Sequence, residues 1–177
     1  MFRVKRLKAA APVKSEAIPN SGAHVRLERV EMAYGRRSVL RGVSCAFPPG
    51  AISVVLGGSG SGKSTILKLV GGLLRAQAGR VVVGQLDITG LSESRLYEVR
   101  RRLGMMFQNG ALLDSLSVLE NLAFPLREHS RLSRDAIKTR VHERLAAVGL
   151  EDVDDLMPRE LSGGMVKRVA LARALMQ

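Results

Sequence analysis

The sequence predicts an α/β fold in which a glycine-rich loop joins a buried strand to the start of a helix. The run Ala51–Leu56 is almost continuously apolar, as in a parallel strand that is buried on both faces. Residues Gly57–Thr65 follow directly and fit the pattern G-x-x-x-x-G-K-S/T at every position. Apolar residues then recur at helical spacing on one face. These residues are Ile66, Leu69, Val70, Leu73 and Leu74.

The chemistry of phosphate binding accounts for the residue types in this loop. Backbone N–H groups must approach phosphate oxygens closely, which glycines permit, and a helix N-terminus adds further donors. Lys63 supplies a charge for the outer phosphates and Ser64 a hydroxyl for a magnesium ion. The alternative is a glycine-rich turn that only links strand to helix. The candidate nucleotide-binding residues are Gly57, Gly58, Ser59, Gly60, Ser61, Gly62, Lys63, Ser64 and Thr65.

The composition narrows the classes of function. The 177 residues include 28 Lys and Arg against 16 Asp and Glu, and the net charge of +12 suits a nucleic acid or an anionic membrane surface. Aromatic residues make up only 3%, so we expect no base-stacking surface for single strands. No apolar run has the length of a membrane span. Cys45 is alone, which excludes a disulfide within the chain and predicts a small packed side chain.

Residues 1–22 form a basic segment that we expect to be a disordered tail, with one folded domain over 23–177. The segment lacks the apolar core of a secretory signal, and its shortage of serine argues against an organelle transit segment. Weak affinity for anionic lipid is a possible property of such a tail.

Further strands are predicted around the buried one, where apolar and polar residues alternate or β-branched residues cluster. They cover Val25–Val30, Val43–Phe47 and Arg80–Gly84. We expect them to form a small, mostly antiparallel sheet around the buried strand Ala51–Leu56.

The region 92–160 is predicted to be a mainly helical insertion into this α/β core. Ser92–Leu103 has the pattern of a charged helix, and Gly104–Gln108 that of a short apolar strand. Ser133–Val148 is the clearest helix, with Ser133 as its cap and Gly149 at its end. Asp152, Asp154 and Asp155 follow in a loop, where we expect solvated or helix-capping carboxylates.

A second constellation, Leu161–Met165, opens the last predicted helix, which continues through Val166, Val169, Ala170 and Leu175. A serine followed by two glycines at a helix start can bind an anion. Taken alone, the same residues are an ordinary helix cap. Their position about a hundred residues after the phosphate loop favours the first interpretation.

Together these motifs resemble the nucleotide-binding subunit of an ATP-binding cassette (ABC) transporter, from about Val25 onward. Gly57–Thr65 matches the phosphate loop of that family and Leu161–Met165 matches its signature. Gln108 stands at the position of the family's Q-loop glutamine. Tyr34 stands where the family places an aromatic residue that stacks on adenine. A half-buried tyrosine at a strand end is the alternative for Tyr34.

The resemblance implies ATP and Mg²⁺ as cofactors and two cassettes that face each other head to tail. Ser162, Gly163 and Gly164 would contact the γ-phosphate of the nucleotide held by the second cassette. Gln108 would be catalytic, and together with Ser64 it would hold the magnesium ion. The implied partners are a second copy and a membrane permease, and the implied location is the cytoplasmic face of the inner (plasma) membrane.

One subgroup of the family has closer similarities to this chain. Met106–Leu112, Phe124–His129 and Met165 in the signature are similar to the ATPases of Mla-type lipid transporters, which work with mammalian-cell-entry proteins. This similarity implies phospholipid as the transported substrate.

The chain departs from the family after the signature. The family's next strand carries an Asp for magnesium and a Glu that activates water, followed by the D-loop and a switch histidine, and none of them follows here before Gln177. His24, His129 and His142 all precede the signature. We therefore expect the N-terminal part of a longer cassette, with an incomplete core sheet. We also expect residues 1–177 alone not to hydrolyse ATP.

The stretch after Gln108 holds more apolar residues than one core-facing helix stripe needs. In the transport cassettes that the chain resembles, this region receives a short helix of the permease, so the resemblance implies a helix-in-groove contact here. The set comprises Leu112, Leu113, Leu116, Val118, Leu119, Leu122 and Phe124.

Two other functions remain open at this point. The net charge of +12 is compatible with a soluble ABC-type ATPase that acts on nucleic acid or the ribosome. A non-catalytic nucleotide-binding fragment is the second. The transporter interpretation expects no nucleic acid partner.

Overall fold

The computed structural model describes residues 3–6 and 24–176, which fall into two compact units, Met1–Tyr97 and Glu98–Gln177. The first unit contains a four-stranded antiparallel sheet with the strand order β3-β2-β5-β6. Its strands are β2 (Val25–Tyr34), β3 (Arg37–Phe47), β5 (Ala78–Val83) and β6 (Leu86–Asp87).

Apolar side chains of β2 and β5 are buried in this sheet. Leu27, Val30 and Val81 are all at most 2% exposed. The thiol of Cys45 on β3 lies in this partly buried environment, and burial raises its pKa to about 11. Cys45 is thus partly buried, in line with the predicted packed side chain.

The strand before the phosphate loop differs from its prediction. β4 (Ser53–Leu56) lies outside the four-stranded sheet and pairs antiparallel with β1 (Arg3–Arg6). Its residues are half-buried or exposed, and Leu56 is 49% exposed. A strand is buried on both faces only when other layers cover it, and β1 is its one partner strand within the described ranges. The sheet predicted to surround β4 therefore forms without it.

The predicted disordered tail also needs one correction. Within 1–22 the structure describes Arg3–Arg6, and these residues form β1. Their paired backbone groups give them a defined register against β4, from Arg3 opposite Leu56 to Arg6 opposite Ser53. The rest of the tail lies outside the described residues.

Helix α1 (Lys63–Val70) begins at the phosphate loop and is shorter than the apolar pattern predicted. Ile66 and Leu69 are buried as expected, but Leu73 is 45% exposed. The helix ends because Gly71 caps it and Gly72 takes a left-handed φ of 64°, which a continuing helix cannot contain. Helix α2 (Glu93–Arg100) follows β6 and buries Leu96.

The second unit is built mainly from α3 (Val118–His129), α4 (Arg134–Ala147) and α5 (Gly163–Ala174), with a 3₁₀ turn at Pro158–Glu160. Each helix places apolar residues three or four apart into a common core. That core includes Val118, Leu122 and Leu126 from α3, Ile137, Val141 and Leu145 from α4, and Val169 and Ala172 from α5.

The helix starts follow the sequence closely. Ser133 accepts a hydrogen bond from the backbone N–H of Ala136, as predicted, and Gly149 ends α4 with a φ of 66°. Ser117 and Glu120 form a capping box at α3, which satisfies two free donors of the first turn. The last helix was predicted to continue through Leu175, which instead is the C-cap residue just beyond α5.

The predicted strand Gly104–Gln108 is not formed. These residues are irregular, and Phe107–Gly110 is a turn closed by a 2.9 Å bond from the Gly110 N–H to the Phe107 carbonyl. A strand requires a neighbour for its backbone groups, and no strand of the described part of the second unit runs beside this segment.

Asp154 also differs from its prediction as a solvated or capping residue. Its carboxylate lies 2.7 Å from Nε2 of His142 on α4, and its carbonyl accepts from the Leu119 N–H. It thus ties the loop after α4 to two helices.

None of the helices within 3–6 and 24–176 has the length and apolar character needed to cross a bilayer.

Candidate nucleotide-binding site

The loop between β4 and α1 has the tight backbone that its glycines predict. Gly60 and Gly62 take left-handed φ values of 73° and 93°, which cost a residue with a side chain extra energy. A Cβ added to Gly57 would lie 2.6 Å from the Ser61 hydroxyl oxygen. A Cβ on Gly58 would meet nothing within 4 Å, so the protein's own packing does not require glycine there.

The start of α1 presents donors that no side chain satisfies. Gly62 is the N-cap residue without a side-chain hydrogen bond, and the first turn contains no acidic residue. The first N–H groups of a helix have no partner within it, and they carry the positive end of the helix dipole. The free N–H donors, the positive end of the helix dipole and the absence of acidic residues from the first turn all favour an anion at this helix start.

Lys63 folds back over the loop. Its ammonium donates to the Gly57 carbonyl at 2.9 Å and to the Gly58 carbonyl at 2.7 Å. These bonds hold the charge against the loop carbonyls, where a phosphate oxygen can take over one of them. The hydroxyl of Ser61 is buried and has no hydrogen-bond partner in the described part of the chain. A buried unpaired hydroxyl is costly, so both residues fit a phosphate group.

Tyr34 lies beside the start of α1. Its hydroxyl is 3.4 Å from the Thr65 hydroxyl oxygen, and either group can donate. The tyrosine side chain is 46% exposed, whereas Thr65 is 7% exposed. The hydroxyl contact holds one end of the side chain, and nearly half of the residue's surface stays exposed.

Gln108 is exposed in the turn that replaces the predicted strand. The following Gly110 is buried, with a φ of 76°, and a Cβ there would lie 2.8 Å from Val166 Cγ1 of α5. The turn that carries Gln108 is therefore packed closely on the helix that begins at the signature.

Two residues that the sequence did not single out fix this turn. Arg173 of α5 donates to the Gly110 carbonyl at 3.1 Å and to the Ala111 carbonyl at 2.8 Å. Its guanidinium is also 3.4 Å from the Asn121 side-chain oxygen, and burial lowers the pKa of Arg173. Arginine and asparagine are both common on exposed helix faces, so the sequence alone did not indicate that Arg173 and Asn121 hold this turn.

Asn121 completes the same network from α3 and is fully buried. Its side-chain oxygen accepts from the Leu113 N–H at 2.8 Å. Its amide donates to the carbonyls of Leu113, Leu116 and Ser117 at 2.9 to 3.0 Å. This one side chain therefore bonds backbone groups of three residues that precede α3 or cap its start.

The signature residues open α5 in the predicted manner. Ser162 is the N-cap and accepts from the Met165 N–H at 3.3 Å. Gly163 and Gly164 are exposed, and a Cβ on either would meet nothing within 4 Å. The helix cap, which was the alternative interpretation of these residues, is thus present, and the glycines leave the helix start open to a close approach from outside.

Residues 40–177 match the sequence profile of the ABC transporter family. The chain belongs to the ABC transporter family. Its α/β fold, with an antiparallel sheet, a phosphate loop and a helical part, is that of an incomplete ABC cassette, as predicted.

Among curated ABC proteins, the chain is similar to MlaF of Escherichia coli strain K12, an intermembrane phospholipid transport system ATP-binding protein. They are 42% identical over 151 residues, which is 85% of this chain and 56% of MlaF. It is also 42% identical to the probable ribonucleotide transport ATP-binding protein mkl of Mycobacterium tuberculosis H37Rv, over 87% of this chain and 43% of mkl. The chain thus spans about half the length of these relatives.

Solved ABC cassettes have the same fold. The dimeric post-hydrolysis structure of the ATP-binding cassette MJ0796, bound to ADP and Pi, superimposes with a TM-score of 0.73 at 30% identity, over 86% of this chain and 69% of that one. The structure of cbiO1 from Clostridium perfringens, part of the transporter complex cbiONQ, superimposes with a TM-score of 0.74 at 27% identity. The match covers 88% of this chain and 62% of that one.

Proposed function

We propose that this chain is the nucleotide-binding part of an ABC transporter ATPase that couples ATP binding and hydrolysis to the movement of phospholipid. The observation that carries the proposal is the phosphate loop itself. A charged lysine, an unpaired serine hydroxyl and an uncapped helix start converge on one tight loop. The similarity to MlaF supports the substrate class.

In this proposal Gly57–Thr65 hold the phosphates of ATP, and Tyr34 stacks on its adenine. Mg²⁺ would be held by phosphate oxygens, by the Ser64 hydroxyl and by the Gln108 amide. No group of three or more His, Cys, Asp or Glu side chains that could hold a metal occurs in the described ranges. Phosphate oxygens, a hydroxyl and a side-chain amide oxygen are donors that suit magnesium, which keeps several waters and often binds through substrate phosphates.

Hydrolysis in the full-length protein would need a second cassette. Ser162, Gly163 and Gly164 would contact the γ-phosphate of the nucleotide bound by that partner. The open, uncharged start of α5 supports this role, because nothing in its first turn repels an anion. Gln108 would orient the attacking water as a catalytic residue.

A membrane permease is the proposed second partner, and it would hold the protein at the cytoplasmic face of the inner (plasma) membrane. Of the apolar set after Gln108, Leu113 and Phe124 are 41% and 45% exposed. The same unit has a cavity of about 370 Å³ whose lining includes Arg102, Arg140 and an ion pair between Arg101 and Glu98, so that its net charge is positive. A permease segment with acidic and apolar side chains would match both features.

The direct test of this function measures ATP hydrolysis by the full-length protein in complex with its permease. We expect added phospholipid to raise the rate, added ribonucleotide to leave it unchanged, and Lys63→Ala to abolish it. Stimulation by ribonucleotide alone would assign the substrate class of mkl instead. Stimulation by duplex DNA or RNA without the permease would favour the soluble alternative.

A further inference from the structure

A second cationic side chain lies against the phosphate loop. Arg37 is the first residue of β3, and its backbone pairs with Tyr34 across the turn between β2 and β3. Its guanidinium atom Nη2 lies only 3.0 Å from the position that a Cβ on Gly60 would occupy. Gly60 is in the middle of the loop, so this guanidinium packs directly on the part of the backbone that surrounds a phosphate.

The charge of Arg37 has no acceptor within the described residues, whereas Arg75 and Arg80 of the same unit are paired. Arg80 donates to Asp87 at 2.8 Å, and Arg75 donates to Glu93 at 3.3 Å. Lys63, the other cation of the loop, is held by two carbonyls. The loop therefore has one cation engaged by the backbone and a second whose donors remain available.

We propose that Arg37 is a phosphate-binding residue whose guanidinium binds the phosphate chain of the nucleotide held by Gly57–Thr65. This inference rests on the proposed nucleotide binding. The turn between β2 and β3 would then carry two ligand contacts, with Tyr34 reaching α1 at Thr65 and Arg37 reaching the loop at Gly60. One short hairpin turn would position both the base and the phosphates.

The chemistry of the guanidinium specifies which part of the nucleotide it binds. Its planar fork of donors matches phosphate oxygens in bidentate geometry, and charge-assisted bonds are the strong ones. Arg37 should therefore contribute to the binding of ATP and ADP and contribute nothing to the binding of adenosine. A lysine at the same position keeps the charge and loses the fork.

The experiment compares Arg37→Ala with Arg36→Ala in the full-length protein. Arg36 is the adjacent exposed residue of the same turn, so both variants lose the same charge. Calorimetry with ATP, ADP and adenosine measures the affinities. We expect Arg37→Ala to weaken ATP binding about tenfold to a hundredfold, the range of a lost charge-assisted bond. Arg36→Ala should change it less than about threefold, the effect of an exposed charge, and Arg37→Lys should fall between.

Three outcomes would overturn the inference. One is an equal loss in the two alanine variants, which would mean a general effect of charge. Another is an unchanged affinity in Arg37→Ala, and the third is an equal loss for adenosine and ATP. Thermal unfolding without nucleotide checks the fold, and Arg37→Gln, which keeps the side-chain stem, replaces Arg37→Ala if that variant is unstable. Failure of the proposed function itself would appear separately, as equally weak ATP binding by wild type and Lys63→Ala.

Discussion

At the scale of single residues, the two cations of the phosphate loop differ in how they could be found. Lys63 was predictable because its spacing from the glycines is fixed by the covalent chain. Arg37 lies 23 residues before Gly60 in the sequence, and only the hairpin between β2 and β3 brings it to the loop. Patterns of neighbouring residues contain no information about such a long-range approach.

Asn121 and Arg173 escaped prediction for a related reason. Each supports backbone groups on a different segment of the second unit, and the need for that support arises only once the segment is folded. Asn121 is fully buried, which is unusual for an asparagine, and nothing in the neighbouring sequence indicates that burial.

Asn121→Ala should destabilise the protein by about 2 to 4 kcal/mol, because it removes the hydrogen bonds of a fully buried side chain and leaves a cavity in its place. Asn109→Ala is the matched control, since Asn109 is exposed in the nearby turn and should change stability by less than about 0.5 kcal/mol. Urea unfolding followed by circular dichroism gives both values. Equal stability of the two variants would show that the Asn121 network contributes no net stability.

At the scale of elements, the helices of the second unit were predicted well because caps and periodicity act locally. Ser133 and Gly149 bound α4, and Ser162 begins α5, as their side chains and backbone freedom predict. The strand predicted at Gly104–Gln108 does not form, because its apolar residues fit a strand but a strand also needs a partner strand. Met106 and Phe107 are consequently 39% and 42% exposed.

Exposed apolar residues in this region give a prediction for the permease contact. We expect Leu113→Asp and Phe124→Asp to release the full-length protein from membranes that contain its permease, since each would place a charge in an apolar contact. Both residues are exposed, so ATP affinity should stay unchanged. Leu171→Asp is the control, because Leu171 is 42% exposed on α5 outside this set.

Membrane fractionation followed by immunoblotting measures this release. If Leu113→Asp and Phe124→Asp leave as much protein on the membrane as Leu171→Asp does, these two residues do not form the permease contact.

At the scale of the whole molecule, the sequence predicted the fold class and the phosphate loop, whereas the prediction that β4 is buried on both faces was wrong. The apolar run Ser53–Leu56 encodes a strand that other layers can cover, and burial depends on whether those layers are present. The relatives extend well beyond the matched region, since this chain spans 56% of MlaF. The sequence could therefore predict the phosphate loop, whose residues are neighbours in the chain, but it could not predict the burial of β4, which depends on distant segments.

The central claim is that the phosphate loop binds ATP through Lys63, and the affinity of the full-length protein for ATP tests it most directly. Calorimetry compares wild type with Lys63→Ala and with Lys68→Ala, whose exposed side chain lies in the last turn of the same helix. We predict a loss of about tenfold to a hundredfold or more for Lys63→Ala, because a charged donor to phosphate is removed. Lys68→Ala should bind as wild type does. Equal ATP affinity of folded wild type and Lys63→Ala would contradict the account.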